Sequence, residues 1–234
     1  MVLDIHHEPF EEPRWSWTLG PTVALARRSA LAVVTNQAHA DLLRARGVTS
    51  TVLHDPPHDA DGRRVRMGAD GHVIVPACYG PDEPIAEVLL AAASMPETSF
   101  KITGRVPARF DRCVPPNVEL TGYVPAEEYI SMLDAAAVVC CLTDKENTMQ
   151  RGGYEALAYH RPLVTSGTAV LREYYEDAAK YCEPHDPASI AAALREALAE
   201  STVLAPRMAA LHDRRVAEYE DRLAPLREAL GQRT

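Results

Sequence analysis

The segment Asp144–Ser166 gathers the residues of this chain best suited to hold a charged ligand. Thr148 can cap a helix. The amides of Met149 to Arg151 would then lead it, and such amides with the helix dipole favour a phosphate. Gly152 and Gly153 sit just inside that helix. Two glycines there cost about 1 kcal/mol each, so they imply close approach of a ligand or of a neighbouring strand. Glu155 follows on the next turn. It offers a carboxylate for ligand hydroxyls, or an ordinary i, i+4 ion pair with Arg151. The two uses compete.

Those residues need a frame. Ala137–Leu142 is a wholly apolar run that reads as a central parallel strand, and Pro162–Thr165 reads as another. Strand, loop, helix, turn and strand in that order place the loop at a strand's carboxyl end, where open α/β sheets bind ligands. The same alternation runs through most of the chain. Val2–His6, Ala32–Thr35 and Thr51–His54 read as strands, and Asn36 caps a helix that stops at Gly47. From 55 to 71 the sequence is polar and rich in turn formers, a linker. Strands at 72–77, 99–103, 118–121, 137–142, 162–165 and 180–182 follow. Helices at 85–94, 126–135, 149–159, 170–177 and 188–200 alternate with them. The expected class is α/β, with doubly wound parallel sheets. The tail from Pro206 has apolar residues at helical spacing, interrupted by Pro225, which should bend or break it.

The 234 residues carry a formal net charge of −9. An acidic chain without a basic run is a poor partner for nucleic acid. The opening residues have no basic, apolar leader pattern, and no apolar stretch reaches the roughly 18 residues that span a bilayer. The expectation is a cytoplasmic protein, at most peripheral at the inner face of a membrane. Cys78, Cys113, Cys140, Cys141 and Cys182 lack zinc-ligand spacing and read as small hydrophobes in a reducing compartment. His6, His7 and Glu8 cannot converge on one ion from a strand, because neighbours alternate faces. No metal site is expected.

Several pieces resemble the donor domain of GT-B glycosyltransferases, close to glycosyltransferase family 4 (group 1). They are Pro81-Asp82-Glu83 after a strand, Phe100–Gly104, the run Asn117–Val124, and Tyr154–Ala158 followed by Arg161–Val164. Asp4-Ile5-His6 and Ala32–Asn36 resemble the end of the family's acceptor-side domain. About a hundred further residues usually precede that point. This leaves open a fragment, a mis-started frame, or a missing half supplied by a second subunit or a homodimer partner. The implied organisation is a partial Rossmann-like domain at 1–58, a linker at 59–71, a complete donor domain at 72–205, and a helix at 206–234 crossing back.

The resemblance implies transfer of a sugar from a nucleotide-diphospho-sugar to a glycan, lipid or small-molecule acceptor hydroxyl. Retention at the anomeric carbon is implied, and no cofactor. A partner-dependent nucleotide-sugar-binding subunit and a nucleotide-sugar epimerase of the same fold are the alternatives. By resemblance Glu155 binds the ribose. Eight residues earlier the family has a second glutamate for the sugar; this chain has Asn147, with Glu146 one place off. Asn147 can exchange hydrogen bonds with sugar hydroxyls but brings no carboxylate. The family's phosphate-binding cations are missing after the first strand of this domain. Arg105, following Gly104, is the best substitute and Lys145 the next. Tyr123 falls where the family holds the base, with core packing an equal reading. No catalytic base is nominated.

Overall fold

The computed structural model describes residues 2–5, 8–11, 13–29, 31–56, 71–110, 114–229 and 231. The linker residues 59–70, His6, His7 and Cys113 lie outside them. The chain divides into two compact units, one of residues 1–57 with 213–234, the other of residues 58–212.

The first unit holds β1 (Val2–Asp4), α1 (Glu8–Glu11), a 3-10 turn (Pro13–Thr18), α2 (Leu19–Ala26), β2 (Leu31–Val34), α3 (Gln37–Ala45) and β3 (Ser50–Val52). The strands form a parallel sheet in the order β1-β2-β3. Strand periodicity decides its two faces. Ala32 and Val34 pack with Val23, Ala26, Ala40 and Leu43. Leu31 and Val33 pack on the other side with Leu226. Asn36 caps α3 as its sequence predicts, accepting the His39 N–H at 2.9 Å. Gly47 follows α3 with φ +71°, a left-handed angle that suits glycine.

The second unit continues with β4 (Val73–Val75), α4 (Ile85–Ala93), β5 (Phe100–Thr103), a 3-10 turn (Ala108–Phe110), β6 (Val118–Gly122), α5 (Ala126–Ala135), β7 (Val138–Cys141), α6 (Arg151–Ala158), β8 (Leu163–Ser166), α7 (Ala169–Tyr175), β9 (Ala179–Cys182) and α8 (Pro187–Ala199), and the last helix, α9 (Ser201–Ala229), has its residues from Asp213 in the first unit and those up to His212 in this one. Its six-stranded sheet runs β6-β5-β4-β7-β8-β9, parallel at every pairing. The α/β, doubly wound expectation holds. Cys140 faces the core built with α4 and α8, and Cys141 faces the core built with α6 and α7. Asn117 ties the end of α4 to β5 and β6. Its Nδ2 lies 2.9 Å from the carbonyls of Ala92, Met95 and Thr98.

Two helix expectations need correction. Pro225 does not break the tail, and the helix starts at Ser201 rather than Pro206, running unbroken for 29 residues. A proline forfeits its own N–H bond and crowds one carbonyl. Here that local cost is outweighed by packing of Leu204, Met208 and Leu211 in one unit and Leu226 in the other. The helix expected from Met149 starts at Arg151.

Candidate functional site

The chain leaves β4 toward β5 and β6 on one side and later fills β7, β8 and β9 on the other. The strand order therefore reverses between β4 and β7, and a crevice opens at the carboxyl ends of such a pair. The loops beside it are 76–84 and 142–150. Asp82 joins them. Its carbonyl accepts the Asp144 N–H at 3.0 Å, its Oδ2 accepts the Thr143 hydroxyl at 2.9 Å, and Lys145 Nζ stands 3.8 Å from its Oδ1.

The β4 loop folds on itself. Glu83 Oε2 accepts the backbone N–H of Cys78 at 2.9 Å and of Gly80 at 3.3 Å. Burial raises the Glu83 carboxyl above its usual range, and these amide bonds oppose the rise. Tyr79, between the two donors, is buried and left-handed at φ +56°. Gly104, at φ +101°, comes against this loop, and a Cβ there would stand 1.9 Å from the Ala77 carbonyl. Glycine is required at Gly104 by both angle and space.

At the start of α6 the structure departs from the sequence reading. Gln150, not Thr148, occupies the cap position, and no side chain caps it. Gln150 instead sends its Nε2 to the Leu142 carbonyl at 2.8 Å. The Thr148 hydroxyl is buried with no hydrogen-bond partner among the described residues. The physical reason is the tether of Gln150 to the end of β7, with Gln150 itself in an extended backbone that precedes the helix. The leading amides are therefore those of Arg151 and Gly152, because the Gly153 N–H donates to the Gln150 carbonyl at 3.1 Å.

The glycine pair is explained by protein packing. A Cβ on Gly152 would lie 2.8 Å from Cys141 Sγ and 3.1 Å from Pro76 Cγ. One on Gly153 would lie 2.4 Å from the Tyr175 hydroxyl. Close approach of β7, the β4 loop and α7 accounts for both glycines without a ligand.

Glu155 is engaged at both oxygens. Arg151 Nε donates to Oε1 at 2.9 Å, so the i, i+4 pair exists. The Tyr129 hydroxyl, from α5, donates to Oε2. The Glu155 side chain keeps 15% exposure while Arg151 keeps 86%. Burial and then the Glu155 charge hold the Tyr129 phenol far above its ordinary range. After burial, the charges of Glu83 and Asp82 raise the Cys78 thiol, Arg151 on α6 lowers it and Glu155 raises it.

The remaining sequence candidates are spread out. Glu146 turns away to α7, where its Oε1 accepts the Ala169 N–H at 2.6 Å. Asn147 is half-buried in the turn beside it. Met149 packs against the α6–α7 core. Lys145 lies beside Asp82, as given above. Arg105 is exposed after β5. Tyr123, after β6, is 86% exposed, so the core-packing reading is overturned. Cys78 is exposed too, unlike the buried Cys140, Cys141 and Cys182, so it departs from the expectation of a small hydrophobe. His160 takes φ +52° in the turn after α6, and its ring meets that of His212 at 5.4 Å. Sequence reasoning missed Tyr129 and Glu83. Tyr129 gave no signal, because its partner is 26 residues away. Glu83 had one: an acidic residue where cations were sought.

Among the described residues no group of three or more His, Cys, Asp or Glu could hold a metal ion. None of the described helices is long and apolar enough to cross a membrane.

A model of the family described as "Glycosyl transferases group 1" matches residues 83–200, half of the chain. The chain belongs to this family. Its match opens on Glu83 and contains Arg105, Tyr123, Tyr129 and Glu155. Solved glycosyltransferase structures share the fold at low identity. Anabaena HepE, solved in complex with UDP, aligns with TM-score 0.78 at 16% identity, over 99% of this chain and 72% of that one. Sucrose-phosphate synthase from Thermosynechococcus elongatus aligns at 0.73 and 15%, over 99% and 67%. TarM from S. aureus, in a complex that includes UDP, aligns at 0.75 and 15%, over 97% and 50%. No curated protein matches the sequence. The group 1 glycosyltransferase fold is thus GT-B, with parallel sheets flanked by helices.

Proposed function

We propose that this group 1 glycosyltransferase binds a nucleotide-diphospho-sugar in the crevice between loops 76–84 and 142–150. It then transfers the sugar to an acceptor hydroxyl with retention. The observation that carries the reading is the reversal of strand order between β4 and β7, with α6 opening beside it. The UDP bound to HepE and TarM supports the class of donor.

In this reading the amides of Arg151 and Gly152 and the positive end of α6 face the diphosphate. They stabilise the charge that builds on it as the glycosidic bond breaks. Glu155 takes the ribose hydroxyls, held in place by Tyr129 and Arg151. Asn147 meets the sugar, Lys145 and Arg105 supply positive charge, and Tyr123 lies on the base side. The unit formed by residues 1–57 and 213–234 carries the acceptor side.

Calorimetric titration with UDP, GDP and their sugars tests this, with Glu155→Ala as control and circular dichroism as the folding check. Binding of one of them, weakened about tenfold or more in Glu155→Ala, is expected. Absence of binding to all of them overturns the donor site. Unchanged affinity in Glu155→Ala removes the ribose role. A transfer assay with the donor that binds then separates catalysis from binding alone.

A further inference from the structure

The loop after β4 already holds an anion. Glu83 Oε2 accepts the N–H of Cys78 at 2.9 Å and of Gly80 at 3.3 Å, and its Oε1 lies 3.2 Å from the Cys78 nitrogen. Backbone N–H groups that converge in this way make a nest, a concavity suited to phosphate or carboxylate oxygens. Tyr79, with its left-handed φ of +56°, stands between the two donors. Nests of this kind alternate right- and left-handed residues.

Three further facts give the nest meaning. It lies at the carboxyl end of β4, on the crevice where the strand order reverses. Loop 76–84 contains no lysine or arginine. The second carboxylate of the loop, Asp82, faces Thr143 and Lys145, so the nearby cation is already drawn to a protein anion.

We infer that Glu83 is a built-in competitor for the donor's phosphate: its carboxylate fills the amide nest that a diphosphate oxygen would take, and so limits donor affinity. The inference rests on the donor reading of this crevice. A phosphate entering the nest must displace the carboxylate or share the space with a like charge, and both weaken binding. Glu83 is thereby a specificity-determining residue. It disfavours ligands in proportion to the phosphate charge they bring to the β4 loop and leaves the nucleoside part untouched.

Glu83→Gln tests this with little change of shape, since the amide oxygen can still accept from Cys78 and Gly80. Glu83→Ala empties the nest and is the second variant, and thermal melting checks that each folds. UDP and GDP are titrated into the whole chain and both variants, with uridine and guanosine alongside. Both variants are expected to bind the nucleoside diphosphate at least about tenfold more tightly than the parent, with nucleoside affinity unchanged. Equal diphosphate affinity in parent and variants overturns the inference and leaves the donor site standing. A parallel rise for the nucleoside also overturns it, because the effect would then not be on phosphate. No binding of either diphosphate to any of the three proteins overturns both readings.

Discussion

The Tyr129 hydroxyl on α5 donates its hydrogen bond to Glu155 on α6, across a separation of 26 residues. That bond ties the carboxylate proposed for the ribose to a helix outside the crevice loops. Tyr129 is half-buried and packs against the core beside α6. A hydrogen bond to a charged group contributes about 1.5–3 kcal/mol. Tyr129→Phe keeps the ring and removes the donor, so it is expected to destabilise the protein by about that amount. Urea denaturation measures it. A change under about 0.5 kcal/mol would mean that the bond is not made in solution.

Gly153 and Tyr175 form a second testable pair. A Cβ on Gly153 would stand 2.4 Å from the Tyr175 hydroxyl, which is buried without a partner among the described residues. Gly153→Ala is expected to cost about 1–3 kcal/mol through overpacking. Tyr175→Phe removes an orphan hydroxyl and is expected to be neutral or slightly stabilising. The double variant should recover most of the loss. Additive losses in a double-mutant cycle would show that the two side chains do not meet.

His54, after β3, predicts a pH dependence. Burial first, then the charges of Arg222 and Arg215, push its pKa down from 6.5 to about 3. Between those values the unfolded chain binds a proton that the folded chain refuses. The folded state is therefore penalised progressively as pH falls from 6.5 toward 3, and the penalty is absent above 6.5. Denaturation midpoints measured at pH 7.5 and pH 5 should differ more for the parent than for His54→Gln. An equal difference for both would place the His54 ring in water.

Much of the frame was legible because central strands such as Val73–Val75 and Val138–Cys141 are short apolar runs and helices such as Gln37–Ala45 have a local cap and stop. Asn36, Gly47 and the alternation of Cys140 and Cys141 could be assigned from neighbours in sequence. The crevice itself followed from the strand–helix alternation. The details of the site were not legible where a tertiary contact decides them. Thr148 looked like a cap, but Gln150 reaches back to Leu142 and moves the start of α6. Gly152 and Gly153 were equally consistent with a ligand or a neighbour until Cys141, Pro76 and Tyr175 came beside them. Tyr129 and Glu155 carry no mark of their pairing in the primary structure. Pro225 was misjudged because local cost alone ignores what anchors a helix at both ends.

That long helix, α9, has a practical consequence. Its residues up to His212 belong to one compact unit and those from Asp213 to the other. No loop separates them, so the two units cannot be divided there as independent modules. A cut would expose about four unbonded carbonyls on one side and four unbonded amides on the other. Exchange of this unit between relatives by swapping residues 58–212 alone would have to splice a new helix in register at its middle.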